Sequence, residues 1–184
     1  MRTFGLVALG FSSFMTQSYA ATDDSPFALY AYGSGIGGLP MFSSGSEIYL
    51  GNFSHVDDPE AAPVILTPGD DTWSGSPNTT GDASGQKPTW SNYTFAVPGP
   101  SSSSHNVTLV NGTADSSNLV TSFVFYGSFV MVDEDGELSS LWYGVPSGND
   151  GVFSLGWNAS GDSSEQIPIT LKRTPPSNPS DKKI

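Results

Sequence analysis

Residues 122–144 read SFVFYGSFVMVDEDGELSSLWYG, a stretch that combines the strongest apolar run of the chain with its clearest turn signal. Val, Phe, Tyr and Met dominate residues 119–132, and such side chains pack well on a pleated sheet. Asp135-Gly136 is a dipeptide that tolerates the positive φ angles of a tight hairpin turn. We therefore predict a β-hairpin with its return strand over residues 138–143, and we expect this hairpin to form the centre of a sheet.

The rest of the chain also indicates strands, because no segment has an apolar period long enough for a helix. Short strand-like runs alternate with turns rich in Gly, Pro, Ser, Asn and Asp, at residues 27–32, 47–51, 64–67, 93–97, 106–110, 152–157 and 166–172. We predict an all-β fold, an antiparallel β-sandwich or jelly-roll-like domain. Gly127 is the expected position of a bulge, and Pro168 marks an edge strand.

Three segments define the predicted organisation of the chain. Residues 1–20 have a basic start, a short apolar run and the small-residue cleavage pattern Ser18-Tyr19-Ala20, all typical of a signal peptide. Residues 21–173 are expected to form a single β-sandwich domain, and the proline-rich residues 174–184 a disordered tail. No later run is long and apolar enough to span a bilayer, and the last residues do not resemble a lipid-anchor signal. We therefore expect secretion without a membrane or anchor.

The charge balance excludes one class of partner. Eighteen acidic and six basic residues give a net charge of −12, and Lys87 is the only base between residues 21 and 171. Phosphate recognition needs clustered Lys and Arg, so we expect no nucleic acid and no anionic membrane surface as partner. The chain also has no cysteine, so neither a disulfide nor a thiolate metal site can contribute.

Six Asn-x-Ser/Thr acceptors for N-glycosylation follow the leader, at Asn52, Asn78, Asn92, Asn106, Asn111 and Asn158. A modified asparagine must face water, and side chains of a strand alternate between its two faces. This alternation predicts that eight side chains face the core: Tyr93, Phe95, Val97, Val107, Leu109, Phe153, Leu155 and Trp157. Counted from Asn52, the same alternation would expose Ile48 and Leu50. We therefore expect Gly51 to break the strand predicted at residues 47–51.

Two patterns that resemble catalytic motifs are better explained otherwise. Gly33-x-Gly35-x-x-Gly38 matches a dinucleotide fingerprint, but Leu39-Pro40 continues in extended form where that motif requires a helix. His55 lies close to three acidic residues and is a candidate metal or catalytic site, although a structural loop is the favoured interpretation. These acidic neighbours are Asp57, Asp58 and Glu60.

The acidic hairpin tip is the second candidate cation site. Asp133, Asp135 and Glu137 offer hard oxygen ligands that suit Ca²⁺, but their spacing is not that of a twelve-residue calcium loop. We favour a plain turn and no cofactor. A pair among the many carboxylates could also cleave a glycoside, which makes a small glycan-active enzyme one alternative function.

Carbohydrate binding is the other alternative function. A flat indole can stack on a pyranose ring, and the candidates for such a platform are Trp73, Trp90 and Trp142. Residues 68–89 hold almost no apolar side chain apart from Trp73, so we predict a long surface loop with this tryptophan exposed. The hypothesis is a carbohydrate-binding module with Trp73 as its platform.

Three segments carry a resemblance to a known family. SPFALYAYGSGIGGLPMF (25–42), SEIYLG (46–51) and FVMVDEDGEL (129–138) resemble the phialide-type cell-wall proteins among the small secreted proteins of filamentous ascomycetes. The resemblance implies an extracellular or cell-wall protein with a structural or host-interaction role and no catalysis. The expected partners are a cell-wall polysaccharide or an extracellular protein.

Overall fold

The computed structural model describes residues 25–70, 72–112, 117–158 and 163–177. The predicted signal peptide and residues 178–184 of the predicted tail lie outside these ranges. Short 3₁₀ turns occur at Phe53–His55 and Gly81–Ala83. The strands are β1 (Tyr30–Gly33), β2 (Ile36–Ser43), β3 (Ile48–Leu50), β4 (Ala62–Pro68), β5 (Trp73–Pro77), β6 (Tyr93–Pro98), β7 (Thr108–Val110), β8 (Leu119–Val120), β9 (Phe123–Tyr126), β10 (Phe129–Glu134), β11 (Glu137–Ser139), β12 (Trp142–Pro146), β13 (Phe153–Trp157) and β14 (Ile167–Lys172).

The predicted all-β antiparallel fold is confirmed, and its architecture is a closed barrel with outer strands. Six strands close a ring in the order β1, β14, β12, β13, β3, β2 and back to β1. From β2 the sheet continues outward through β4, β5, β6 and β7, and from β14 through β10 to β9 and β11. Closure removes the free edges that an open sheet of these six strands would expose.

The segment that leads into β7 ties the outer sheet back to the barrel. Val107 N–H donates to the Leu155 carbonyl at 3.1 Å, and the Val107 carbonyl accepts from Ile48 N–H at 3.3 Å. This segment therefore lies between β13 and β3, where those two strands diverge. The outer strands and the barrel consequently share one apolar core.

Aromatic side chains fill the centre of that core. The rings of Trp73, Phe95, Phe123 and Trp142 form a stacked or tilted series, and Trp142 contacts Trp157 at 4.6 Å between ring centres. Trp142 Nε1 donates to the Val130 carbonyl at 3.1 Å, so its buried N–H is satisfied.

Six of the eight residues that alternation from the acceptor asparagines places in the core are buried: Phe95, Val97, Val107, Leu109, Leu155 and Trp157. Tyr93 and Phe153, the first residues of β6 and β13, are only half-buried, and Ala96, which the alternation would expose, is buried. Ile48 and Leu50 are buried as well, although strict alternation from Asn52 would expose them. Gly51 has a φ of 131° and follows the last residue of β3, so it breaks the alternation as predicted.

The central stretch folds as two successive hairpins. The Asp135-Gly136 turn is confirmed, since Glu134 pairs with Glu137 and both turn residues have positive φ. The predicted bulge at Gly127 is wrong: Gly127 has a φ of 63° and forms with Ser128 the turn between β9 and β10. A glycine with positive φ in a two-residue connection reverses the chain, so the apolar run divides into two strands.

The position predicted for this hairpin is also wrong. Strands β9, β10 and β11 lie at the periphery, and β10 meets the barrel where Phe129 pairs with Lys172. The predicted return strand ends at Ser139, because β12 leaves the hairpin to pair with β13 and β14. Trp142 and Tyr143 of β12 are buried in the barrel. Because they are as apolar as the hairpin strands, apolar content alone suggested a single long hairpin.

Two further expectations are corrected. Residues 73–77 of the predicted long loop form β5, which pairs with β4 and β6. The edge position predicted from Pro168 is wrong, because β14 pairs with β1 on one side and with β12 on the other. Pairing with β1 begins at Ile169. Pro168, which has no backbone N–H to donate, lies just before the paired stretch, so the strand tolerates it.

Candidate binding surface

The predicted tryptophan platform is not at the surface. Trp73, Trp90 and Trp142 are 5%, 3% and 2% exposed. Trp73 stacks on Phe125 at 5.0 Å between ring centres, and Trp90 Nε1 donates to the Glu60 carbonyl at 2.9 Å. The expected exposure of Trp73 is wrong because its ring is enclosed by the rings of Phe27, Phe95 and Phe123 as well. None of the three indoles therefore presents a free face to a sugar.

In the acidic hairpin tip, the Asp133 carboxylate hydrogen-bonds to the turn itself. Asp133 Oδ1 accepts the Gly136 N–H at 2.9 Å, which stabilises the turn, while Asp135 and Glu137 are exposed. Across the described ranges no three His, Cys, Asp or Glu side chains converge as metal ligands do. The described geometry therefore offers no observation in favour of a Ca²⁺ site at the tip.

The His55 loop is held by the backbone. His55 Nδ1 lies 2.7 Å from the Asp150 carbonyl, and Asp58 Oδ1 accepts the Glu60 N–H at 2.9 Å. Glu60 Oε2 accepts from the backbone N–H and the hydroxyl of Thr89. Each of these polar groups has a structural partner, which supports the interpretation as a structural loop. The other histidine, His105, is half-buried with Nδ1 3.2 Å from the Trp157 carbonyl.

One cleft beside this loop has a volume of about 410 Å³ and carries two carboxylates, those of Asp57 and Asp58. The two carboxylates belong to consecutive residues, and the other lining residues carry none: Phe53, Ser54, Val56, Pro59, Gly85 and Gln86. Glycoside cleavage requires an acid and a second carboxylate on either side of the bond that breaks. The lining of this cleft does not provide that arrangement.

The acceptor asparagines lie at strand ends and turns. Five of them are exposed and Asn78 is half-buried. In two of them the side chain makes an Asx turn with its own acceptor motif: Asn52 Oδ1 accepts the Ser54 N–H at 3.0 Å, and Asn78 Oδ1 accepts the Thr80 N–H at 3.1 Å. Asn92 and Asn158 adopt positive φ angles, which place them at sharp changes of chain direction.

The surface feature that the sequence did not reveal is a row of aromatic side chains around a lysine. We call it the aromatic–lysine row, and it consists of Tyr30, Tyr32, Tyr126, Phe129 and Lys172. Tyr126 is 72% exposed and Phe129 38% exposed, while the other three are half-buried. Exposed aromatics of this size that lie next to one another commonly mark a binding surface.

Strand register builds the row. Tyr30 pairs with Lys172 across β1 and β14, Lys172 pairs with Phe129 across β14 and β10, and Phe129 pairs with Tyr126 across β10 and β9. Paired residues of neighbouring strands share one face, so these four side chains lie side by side on the outside. The alternate residues Ala31, Leu171 and Val130 point inward and are fully buried.

Lys172 is the electrostatic centre of the row. Its Nζ lies 4.9 Å from the ring centre of Tyr32 and 4.6 Å from that of Phe129, within the range of a cation–π interaction. The Arg173 guanidinium lies 4.8 Å from the ring centre of Phe125, which pairs with the inward-facing Val130, so this second base is not part of the row. This surface therefore combines ring faces with positive charge on a protein that is otherwise strongly acidic.

Tyr32 contributes a neutral phenol to the row. Burial, with the nearby Tyr30 as a smaller cause, raises the pKa of Tyr32. Its hydroxyl donates to the Thr174 carbonyl at 2.9 Å. Pro176 lies against Gly38, where an added Cβ would come within 2.9 Å of the proline side chain. Residues 174–177, the described part of the predicted tail, thus contact the barrel beside the row.

Sequence patterns contain a weak signal for this surface. Tyr30 and Tyr32 alternate with Leu29 and Ala31, and two aromatic residues on the outer positions of a strand are unusual for a water-facing surface. The meeting of β1, β14, β10 and β9 depends on long-range pairing, which no local pattern encodes.

No protein-family model, curated protein or solved structure matches this chain. Within the described residues there is no helix with the length and apolar character needed to cross a membrane.

Proposed function

We propose that this protein is a secreted, N-glycosylated protein of fungal type that acts outside the cell or in the cell wall, with a structural or host-interaction role and no catalysis. The observation that carries the proposal is the position of the acceptor asparagines, five of which are exposed. An asparagine that receives an oligosaccharide must face water, and the half-buried Asn78 is the acceptor least favoured by this criterion.

A binding role is supported by the contrast between two surfaces. The aromatic–lysine row exposes apolar rings and charge together, as binding surfaces do. The two carboxylates of the cleft beside His55 belong to consecutive residues, whereas glycoside cleavage needs one on either side of the bond that breaks. A cell-wall polysaccharide or an extracellular protein is the class of partner that fits a secreted protein of this kind.

Expression of the full chain in a yeast or filamentous-fungal host tests the proposal. We expect the protein in the medium, with an intact mass that falls when an endoglycosidase removes N-linked glycans. Asn106→Gln should lower the mass by one glycan, whereas Asn118→Gln, an exposed asparagine outside any acceptor motif, should not. Retention inside the cells, or a secreted mass equal to that of the bare polypeptide, would contradict the proposal.

A further inference from the structure

We propose that the aromatic–lysine row binds a linear, uncharged polysaccharide, whose pyranose rings stack on Tyr126, Phe129 and the tyrosines of β1. This inference rests on the proposed extracellular function and assigns it a ligand class. It moves the predicted carbohydrate platform from the tryptophans to a different set of residues.

The shape of the row favours a linear chain. Neighbouring strands lie about 4.8 Å apart, so the four strands from β1 to β9 place the outer rings about 14 Å apart. The four paired residues form a line one side chain wide, with Tyr32 beside Tyr30 at the β1 end. A stable protein–protein interface buries about 800 Å² on each partner, much more than such a strip presents. A single polysaccharide strand has matching dimensions, since it is narrow and extends over several sugar rings.

The chemistry of the row also fits a sugar. The axial C–H bonds of a pyranose form an apolar face that packs on an aromatic ring, while its hydroxyls need hydrogen-bond partners at the rim. Lys172 Nζ, close to the rings of Tyr32 and Phe129, supplies donors at that rim. The phenol groups of Tyr30 and Tyr32 both donate and accept hydrogen bonds.

The net charge of the protein favours uncharged polysaccharides over anionic ones. A net charge of −12 repels a polyanion as it approaches, and Lys172, the one base of the row, offsets only a small part of this charge. An uncharged glucan or chitin-like chain does not experience this repulsion. We therefore expect uncharged polymers to bind more tightly than uronic acid polymers at low ionic strength, where screening is weakest.

The distribution of acceptor asparagines is an independent observation that favours the same surface. None of the six lies on β1, β9, β10 or β14, the strands that carry the row. The acceptors adjoin β3, β5, β6, β7 and β13 instead. Glycans attached there start from strands other than the four that carry the row, which favours this face as the one left accessible to a large ligand.

Retention on insoluble cellulose, chitin and β-1,3-glucan tests the inference, with the full chain and two substitutions in the row. We expect retention on at least one of these polymers, and Tyr126→Ala with Phe129→Ala should weaken it roughly tenfold or more, because each ring that stacks on a ligand contributes substantially. Leu141→Ala is the matched control, since Leu141 is 49% exposed and lies outside the row. Lys172→Ala should also weaken binding, whereas Lys87→Ala should not.

The outcomes separate the inference from the proposed function. A protein that is secreted and glycosylated but is retained on none of the polymers overturns the inference alone. Retention that survives the double substitution also overturns it. So does a dimer in sedimentation that Tyr126→Ala dissociates, because the row would then join two copies. Tyr126 is largely exposed, so its single substitution keeps the test valid if the double variant fails to fold.

Discussion

Tyr49 links a charged surface group to a small apolar cluster of Phe42, Ala61 and Val152. Its hydroxyl donates to Glu47 Oε2 at 2.7 Å, and its ring stacks on Phe42 with ring centres 5.4 Å apart. Burial, followed by the hydrogen bond to Glu47 and the negative charge of nearby carboxylates, raises the pKa of Tyr49 to about 12 from an ordinary value of 10.0. The folded protein therefore holds this proton more tightly than the unfolded chain.

The raised pKa of Tyr49 predicts a loss of stability at high pH. Above pH 10 the unfolded chain releases the proton while the folded protein keeps it up to about pH 12, so the free energy of unfolding falls as the pH rises across this interval. Urea denaturation from pH 9 to 12 measures the fall. Tyr49→Phe should reduce it, and Tyr126→Phe, which alters an exposed tyrosine, should not. Equal slopes for all three proteins would refute this interpretation.

The Tyr143 ring covers Gly156 and leaves no room for a side chain there. It pairs with Tyr143 across β12 and β13, and a Cβ at this position would overlap the Tyr143 ring and lie 2.6 Å from its Oη. Tyr143 is buried and has little freedom to move away. The position thus accepts only a residue without a side chain.

Gly156→Ala is expected to destabilise the protein by about 1–3 kcal/mol, the usual cost of forcing extra volume into a packed site. Gly37→Ala is the matched control, because Gly37 also lies in a strand and an added Cβ there meets nothing within 4 Å. Thermal and urea unfolding of both variants provide the comparison. A Gly156→Ala protein as stable as the Gly37→Ala protein would show that the Tyr143 ring moves freely.

Strand β5 shows how an element can be held without many apolar side chains of its own. Its sequence, WSGSP, has one large apolar residue, yet it pairs with β4 and β6. Gly75 allows the strand to approach Leu109 closely, since a Cβ there would come within 2.6 Å of that side chain. Trp73 then anchors the strand in the aromatic core.

Trp73→Ala should therefore cost about 3–5 kcal/mol, the range for removal of a large buried aromatic side chain. Tyr126→Ala provides the contrast, because removal of an exposed aromatic ring should change stability by about 0.5 kcal/mol or less. Chemical denaturation distinguishes the two. If Trp73→Ala is as mild as Tyr126→Ala, residues 73–77 behave as the exposed loop that the sequence predicted.

At the scale of the whole molecule, the barrel and the outer strands share one core. Residues from both, such as Leu50 and Leu171 of the barrel and Leu66 and Phe95 of the outer strands, belong to a single apolar cluster. All four tryptophans are buried in it. A shared core of this kind couples the two parts energetically.

We expect a single unfolding transition as a result. Tryptophan fluorescence reports on the core and far-ultraviolet circular dichroism on the strands, and the two signals should have the same midpoint in urea. Two separated midpoints would mean that the outer strands unfold independently of the barrel.

Side-chain alternation and turn preferences predicted the features of this fold that depend on neighbouring residues. Alternation around Asn106 and Asn158 identified Val107, Leu109, Leu155 and Trp157 as core, and Asp135-Gly136 identified a turn. Gly33 ends β1 and Gly38 lies in β2, so the glycines of the apparent dinucleotide fingerprint are followed by a strand and not by a helix, as Leu39-Pro40 predicted. These features depend on one strand or one turn.

Pairing between distant segments accounts for the errors. Trp73 is buried because its ring packs against Phe123 and Phe125 of β9, and β14 is an interior strand because β1 pairs with it. Neither contact follows from neighbouring residues. The aromatic–lysine row was missed for the same reason, since Tyr30 and Lys172 meet only when the barrel closes.

The pairing of β1 with β14 also sets an order of events during synthesis. Tyr32 and Thr170, 138 residues apart in sequence, are joined by a hydrogen bond across this pair. The barrel therefore cannot close until nearly the whole described chain has emerged, and every acceptor asparagine precedes β14. All six would reach a glycosylating enzyme on an incompletely folded polypeptide. The exposure of each asparagine in the folded protein therefore decides whether its glycan can be accommodated after folding, and not whether the enzyme can reach it.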